Sequence, residues 1–317
     1  MNDPTAPAAP PVPVLPAVRR QALRHHLVNE LRRPVRRSRR TLLLVPAGVL
    51  AVALAAGVVA HSLAPVSAPL VVTVAQGDHG AATLLLQRMA AAATGEPGPS
   101  TGEPGPSTGG GEYLYVKSRV AYSEVGDGPA RLQPVHEREI WIPLFHRGDG
   151  QVRQPFYDVP LLGAIPSTRK LPDMTPNAQV VDLPADPDEL LAKLYQRHTG
   201  QGNDPDSAVF TAIGDILRES LVPPQIRAAL YRAAAKIPDV EVVRGVTDAA
   251  GRPGIAVAHT DRSWRHEWIF DERTFDYLGE RSYLVQDTVD GPAGTVLGMS
   301  AVTQRAVVPD LGARPKR

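Results

Sequence analysis

Four side chains able to do acid–base chemistry or bind a metal lie close together in the sequence: His259, Asp261, His266 and Glu267. Imidazole and carboxylate groups are the usual general acids and bases, and both also bind zinc. A predicted hairpin turn lies between the two pairs, so cross-strand pairing brings His259 close to His266. An H-E-x-x-H zinc motif needs a second histidine after His266-Glu267, and that residue is missing. We interpret the four as surface strand residues beside a turn and predict no catalytic, cofactor-binding or metal-binding residues.

Other enzyme signatures are missing from the chain. The sequence contains no G-x-S-x-G elbow, no Walker A loop, no dinucleotide fingerprint and no EF-hand loop. It also has no cysteine, which excludes disulfides, thiolate catalysis and cysteine-bound zinc. We therefore predict that the protein is not an enzyme and needs no cofactor.

Aromatic side chains in the same C-terminal region allow two interpretations. They are Trp264, Trp268, Phe270, Tyr277 and Tyr283. Aromatic residues of a sheet commonly pack beneath helices, and this is the favoured interpretation. The alternative is that they line an apolar pocket for a hydrophobic ligand.

An uncharged run of 19 residues, Leu42 to Ala60, organises the rest of the chain. At about 1.5 Å per helical residue, the run matches the ~30 Å hydrocarbon thickness of a bilayer. Residues 41–63 are therefore predicted to form a transmembrane helix in contact with membrane lipid. A cleaved export signal is the alternative, because Arg39-Arg40 resembles a twin-arginine motif and Val66-Ser67-Ala68 resembles a cleavage site.

Charge is distributed unevenly around this run. Residues 1–40 contain nine arginines against Asp3 and Glu30, which gives +7, while the rest of the chain carries −6. The positive-inside rule places the N-terminus in the cytoplasm and the C-terminal part outside the cell membrane. We interpret the arginines as facing anionic lipid, not nucleic acid. The tail, residues 1–40, is predicted to be partly disordered because residues 1–18 are rich in proline.

Beyond the membrane run, the pattern predicts a linker at 64–77 and a helix over 79–93. The apolar side of this helix is predicted to carry Leu84, Leu85, Met89 and Ala92. A tandem Thr-Gly-Glu-Pro-Gly-Pro-Ser repeat follows within 94–111, and its composition predicts disorder. Alternating strand patterns begin at Glu112 and return near 135–142. Residues 155–180 contain five prolines without a clear period and are predicted to be a long surface loop.

The last 130 residues combine helices with a predicted meander. Asp186-Pro187, Asp204-Pro205 and Pro223-Pro224 each start an amphipathic helix. From Val240 to Val308 the period is two, and short turns predict five sequential antiparallel strands. The fold class is therefore predicted to be α+β: a transmembrane helix, then an extracytoplasmic antiparallel sheet covered by short helices. This domain is expected to span 78–308, with a C-terminal tail at 309–317.

Several segments resemble a family of single-pass membrane-anchored proteins of unknown function from actinobacteria. The basic tail, the membrane run and the early helix match its order of elements. The matching segments are 112–116, 186–190, 209–210, 221–224, 227–231 and 269–274. Genes of that family often neighbour those of extracytoplasmic-function sigma factors, which implies an envelope-sensing or anti-sigma-like role. The zinc motif of one anti-sigma class cannot form here because cysteine is absent.

The predicted external domain also resembles the helix-covered sheets of periplasmic lipoprotein carriers and sigma-regulator sensors. Two functions follow from these resemblances. The first is a membrane-anchored, non-enzymatic sensor or interaction protein whose residues 1–40 bind a sigma factor. The alternative is an exported carrier domain for a lipid or small hydrophobic molecule. Fold analogy alone does not decide between them.

Overall fold

One ten-stranded antiparallel β-sheet forms the frame of the protein, as seen in a computed structural model. The structure describes residues 70–95, 113–126, 128–144, 148–156, 165–174, 180, 182–198 and 204–316. The strands are β1 (Tyr113–Gly126), β2 (Gly128–Leu132), β3 (His136–Pro143), β4 (Gly148–Phe156), β5 (Ile165–Met174), β6 (Glu241–Thr247), β7 (Pro253–Asp261), β8 (Trp264–Phe270), β9 (Tyr277–Leu284) and β10 (Val296–Val308). Their order is β5-β4-β3-β1-β10-β9-β8-β7-β6, and β2 pairs with β1 outside this path.

The five C-terminal strands form the predicted antiparallel meander, with each strand paired to its sequence neighbour. Aspartates shape the turns between them. The Asp271 carboxylate accepts hydrogen bonds from the backbone N–H groups of Arg273 and Thr274. The Asp248 carboxylate does the same for Ala250 in the turn that Gly251, at φ +80°, completes. Because residues close together in the chain form these turns, the meander could be predicted from the sequence.

The N-terminal part of the sheet is larger than the sequence predicts. Strand β1 lies at the centre of the sheet and pairs with both β3 and β10. The first strand of the chain therefore lies beside the last. Strand β5 lies within the region 155–180 that was predicted to be a loop, and that prediction is wrong for these residues. Pro166 and Pro172 are tolerated there because β5 is at the edge of the sheet, where a missing backbone donor breaks no second ladder.

Four helices form in the described residues where helices were predicted: α1 (His79–Gly95), α2 (Pro187–His198), α3 (Pro205–Glu219) and α4 (Pro224–Ala234). Their starts follow the capping rules. The Asp204 carboxylate accepts a hydrogen bond from Ser207 N, and Pro205 occupies the first helical position. Asp186 caps α2 in the same way through the N–H groups of Asp188 and Glu189.

The main core lies between the helices and strands β6 to β9. In this core, the Phe210 ring of α3 stacks on the Trp268 ring of β8, with ring centroids 3.8 Å apart. Helix α1 differs in detail from its prediction. Leu84, predicted on the apolar side, is 64% exposed, while Leu86 and Ala90 are buried. The helix is rich in alanine and leucine on several faces, so its sequence did not distinguish the buried side.

The opposite face of the sheet is covered by the two ends of the described chain. The N-terminal strap, residues 70–78, pairs with the sheet at Leu70 and at Asp78. Residues 70–77 were predicted to belong to a linker, yet Arg265 donates a hydrogen bond to Ala75 O at 2.6 Å. The C-terminal segment 309–316 also binds the sheet: Trp141 Nε1 donates to Ala313 O, and Arg314 pairs with Glu139.

The predicted transmembrane helix, residues 41–63, lies outside the described residues, as do the basic tail and residues 96–111 of the repeat. Among the described helices, none has both the length and the apolar character needed to span a bilayer. The antiparallel sheet and its covering helices establish the α+β class.

Candidate functional site

A small cleft with both polar and apolar walls lies at the centre of the sheet, on the side that faces α3. Its volume is about 150 Å³. We call it the central cleft; its lining includes the polar residues Thr211, Arg218, His266, Glu280 and Ser282 and the apolar residues Trp268, Leu297 and Met299. Gly298 on β10 adds only backbone to the lining, and a Cβ there would lie 3.2 Å from Ser282 Oγ. The cleft therefore exists partly because this strand position lacks a side chain.

Helix α3 has two faces, and each contacts a different part of the sheet. Phe210, Ile213 and Leu217 are buried in the main core. Thr211 and Arg218 line the cleft. At Gly214 the helix approaches the sheet so closely that a Cβ would lie 2.5 Å from Trp268 Nε1 and 2.9 Å from Glu280 Oε1. This close approach brings the polar face of α3 into contact with β9.

Arg218 and Glu280 form the centre of an ionic network in the cleft. Arg218 donates to the Glu280 carboxylate and to Asp215, and its Nε lies 3.4 Å from Glu219. Tyr277 donates its hydroxyl hydrogen to Glu280 Oε1 at 2.5 Å. Burial, followed by the nearby Glu280 charge, raises the pKa of Tyr277 well above its usual value. The phenol therefore stays protonated and remains a donor.

Glu219 links this network to β3. Arg138 donates to its carboxylate at 2.8 Å, and Arg218 approaches from the other side. Burial favours the neutral acid, but the two guanidinium groups outweigh it and lower the pKa of Glu219 to about 2. Arg218 and Glu219 are therefore not a solvated face of α3, because Arg138 on β3 and Glu280 on β9 pair with them.

His259 and His266 are directly paired across β7 and β8, as the sequence predicts. His259 is only 4% exposed, its ring lies 5.5 Å from that of Phe210, and its buried Nδ1 has no hydrogen-bond partner among the described residues. Burial lowers the pKa of His259 despite the carboxylates around it, and burial also lowers the pKa of His266 despite nearby Glu280. Both imidazoles are therefore favoured in their neutral form.

Glu267 lies on the other face of the sheet from the histidines. Its buried carboxylate accepts hydrogen bonds from Arg281 Nε at 2.9 Å and from Tyr283 Oη at 2.8 Å. Successive strand residues point to opposite faces, so His266 and Glu267 cannot converge on one ligand. The interpretation of His259 and Glu267 as surface residues is wrong. Helix α3 covers His259, and the side chains of Arg281 and Tyr283 cover Glu267. No cluster in the described part of the chain has the residues to hold a metal ion.

The five aromatic side chains do not line one pocket in the described structure. Trp268, Phe270 and Tyr277 pack on the helix side, which agrees with the favoured interpretation. Tyr283 binds Glu267 on the opposite face, and Trp264 is 38% exposed at the end of β8. Aromatic content alone could not show this separation.

The chemistry available in the central cleft is hydrogen bonding and charge pairing. Ser282 lies directly across the strands from His266, but no hydrogen bond joins them in the described structure. A nucleophilic serine needs such a contact with its base, and the base needs a carboxylate partner. Glu280 is committed to Arg218 and Tyr277 instead. Arg218 and Glu280 were not predicted to be site residues. The only indication in the sequence was the spacing of the polar residues Thr211, Asp215 and Arg218 along one side of α3.

Comparison with known proteins adds no precedent for this arrangement. No protein family, curated protein or solved structure matches the chain. Functional interpretation therefore depends on the residues and geometry of the chain itself.

Proposed function

We propose that this chain is a membrane-anchored, non-enzymatic sensor or interaction protein with its sheet domain outside the cytoplasm. The uncharged run at 42–60 and the arginines before it support the anchor and its orientation. The part of the chain that the structure describes begins at residue 70 with the N-terminal strap, nine residues after that run. This order of segments suits a domain that is presented at a membrane surface.

The interaction role is supported by the close packing on the side of the sheet that faces the helices. Phe210 stacks on Trp268, and the central cleft has a volume of only about 150 Å³ with charged groups in its lining. Pockets for drug-sized or larger apolar ligands usually measure about 300–1,000 Å³. The cleft is therefore too small for a long acyl chain. This favours the sensor or interaction role over the lipid-carrier alternative.

The basic tail completes the proposal on the other side of the membrane. Residues 1–40 are proposed to bind a cytoplasmic protein, for which the resemblance suggests an extracytoplasmic-function sigma factor. Ligand or partner binding outside would then alter this contact in an anti-sigma-like manner. The charge of +7 in the tail provides an electrostatic basis for binding an acidic partner.

Cross-linking in cells tests this proposal directly. The full chain and a variant lacking residues 1–40 are expressed, cross-linked and purified in detergent. We expect a cytoplasmic partner that is retained by the full chain and lost with the tail. Protease added outside spheroplasts should digest the sheet domain and leave the tail intact. Fatty acyl species extracted with the purified chain, with no tail-dependent partner, would support the carrier instead.

A further inference from the structure

One end of the sheet gathers four of the eight large apolar side chains that remain exposed in the described structure. We call it the strap end; it comprises the β7–β8 turn (261–264), the β9–β10 connection (285–295) and residues 70–72 of the strap. Val289 is 87% exposed, Val71 is 51% exposed and Trp264 is 38% exposed. Such a concentration of exposed apolar groups is typical of an interaction surface.

Hydrogen bonds fix these three segments to one another. Val285 N donates to Ser263 O at 2.8 Å, which joins the two turns. Val296 N donates to Leu70 O at 2.9 Å, and Val72 N donates to Gly294 O at 2.8 Å, so the strap enters beside the β9–β10 connection. A Cβ at Gly294 would lie 2.1 Å from Val72 O, so only glycine permits this approach. The apolar groups are therefore held on a defined surface.

Val289 is presented at the tip of an internally bonded turn. Thr288 and Gly291 exchange two backbone hydrogen bonds, and Ala293 N donates to the Asp287 carboxylate at 2.8 Å. Unpaired backbone groups are costly near hydrocarbon, so a turn that bonds its own backbone is well suited to an apolar boundary.

We propose that the strap end rests on the surface of the lipid bilayer, with Trp264 and Val289 in its interfacial region. This inference rests on the proposed membrane anchor. Nine residues, 61–69, separate the uncharged run from Leu70, and a fully extended segment of that length spans at most about 32 Å. The strap therefore enters the sheet within that length of chain from the end of the run. Tryptophan prefers this interfacial depth, because the indole ring is apolar while its N–H needs a polar partner.

The charges at the strap end indicate which lipid surface it suits. Arg262 is exposed at the β7–β8 turn, but Asp261, Asp287 and Asp290 lie in the same turns. This small acidic excess gives no attraction to anionic lipid. The contact is therefore expected with zwitterionic phosphatidylcholine, through apolar burial and not through charge.

Tryptophan quenching by lipid provides a direct test in the full-length protein. The chain has three tryptophans, and Trp141 and Trp268 are only 1% and 2% exposed, so a quencher within the lipid reports on Trp264. The full chain is reconstituted in phosphatidylcholine vesicles with bromine atoms near the top or near the end of the acyl chains. We expect shallow bromines to lower total emission by up to about one third, the share of one tryptophan in three, and deep bromines to have less effect.

Matched variants distinguish the lipid contact from other causes of quenching. Trp264→Phe should abolish the quenching, and Val289→Asp should weaken it. Leu84→Asp changes another exposed apolar residue, which lies on α1 and is 64% exposed, and should leave the quenching unchanged. Circular dichroism of each variant checks that the sheet is intact.

The outcomes distinguish this inference from the anchor on which it rests. If the chain floats with the vesicles but shows no Trp264-dependent quenching, the lipid contact is refuted and the anchor stands. Disulfide dimers of a Val289→Cys variant, together with absent quenching, would assign the surface to a second copy; the natural chain has no cysteine to interfere. Failure of the chain to float would refute the anchor and the lipid contact together.

Discussion

Trp268 and Glu280 are directly paired neighbours on β8 and β9, yet they lie in very different surroundings. Trp268 is stacked against Phe210 in a closely packed apolar core. Glu280 accepts hydrogen bonds from Arg218 and Tyr277 beside the central cleft. One helix, α3, covers both residues, and the contact at Gly214 lies between them. The comparison shows that a single helix can fill a core on one side and order a charged network on the other.

The largest expected effect comes from the apolar side. Trp268→Ala removes a buried ring that stacks on Phe210, and such substitutions cost about 3–5 kcal/mol of unfolding free energy. Urea unfolding of the full chain in detergent, followed by far-ultraviolet circular dichroism, measures this loss. Leu84→Ala is the matched control at an exposed apolar position and should leave the midpoint nearly unchanged. Equal effects from the two variants would contradict the placement of the core.

Gly214→Ala perturbs both sides of the comparison at once. The added Cβ would lie 2.5 Å from Trp268 Nε1 and 2.9 Å from Glu280 Oε1, so α3 must shift away from the sheet. We expect a loss of about 2 kcal/mol in unfolding free energy, which is typical of overpacking. Gly95→Ala serves as the control, because no atom of the described residues lies within 4 Å of its added Cβ. A neutral result at Gly214 would mean that the helix does not approach the sheet so closely.

Glu280→Gln tests the charged side alone. The amide keeps an oxygen for the Tyr277 hydroxyl but removes the charge that pairs with Arg218. Arg218 retains Asp215, so we expect a moderate loss of about 1.5 kcal/mol, the cost typical of weakening a buried charged hydrogen bond. Asp188→Asn, at an exposed pair with Lys236, should have almost no effect. If both variants behave alike, the cleft network is no more stabilising than a surface ion pair.

Acidification should have the smallest effect on the free energy of unfolding, and it should act through the two histidines. The folded-state pKa values of His259 and His266 are lowered below the ordinary 6.5, so below that pH the unfolded chain binds more protons. Stability is therefore lost as pH falls from about 6.5 toward the folded-state values. Urea midpoints measured between pH 7.5 and pH 5.5, at about half-unit steps, should decrease. A double variant, His259→Gln with His266→Gln, should flatten this slope, and an unchanged slope would assign it to other groups.

Lower pH has a separate effect through Glu219. Its folded-state pKa is lowered to about 2 from an ordinary 4.5, so the stability that its ion pairs contribute is lost as pH falls from about 5 toward 2. The double histidine variant separates the histidine contribution from the carboxylate contribution in such a titration.

Much of the fold was predictable because its signals are local. The meander from β6 to β10 follows from period-two alternation and from turn residues such as Asp248 and Asp271. Helix starts follow from caps such as Asp204. Strand β5 was missed because its prolines argue against a strand, and only its place at the sheet edge makes them acceptable.

The candidate site was much less predictable, because its residues come from distant parts of the chain. The pairing of His259 with His266 was found because a short hairpin joins them. Arg218 and Glu280 are 62 residues apart, and no periodic pattern links them. Arg138 reaches Glu219 over 81 residues, which depends on the pairing of β1 with β3 on one side and with β10 on the other.

The sequence by itself determined the uncharged run at 42–60, the charge difference across it, the absence of cysteine chemistry and the sequential strands of the meander. These features depend on composition or on neighbours within a few residues, so no fold is needed to see them. Tertiary structure alone decided that Arg218 meets Glu280, that His259 is buried and that the strap lies against the sheet. Long-range pairing brings such groups together, and burial then fixes their charge and their exposure to water.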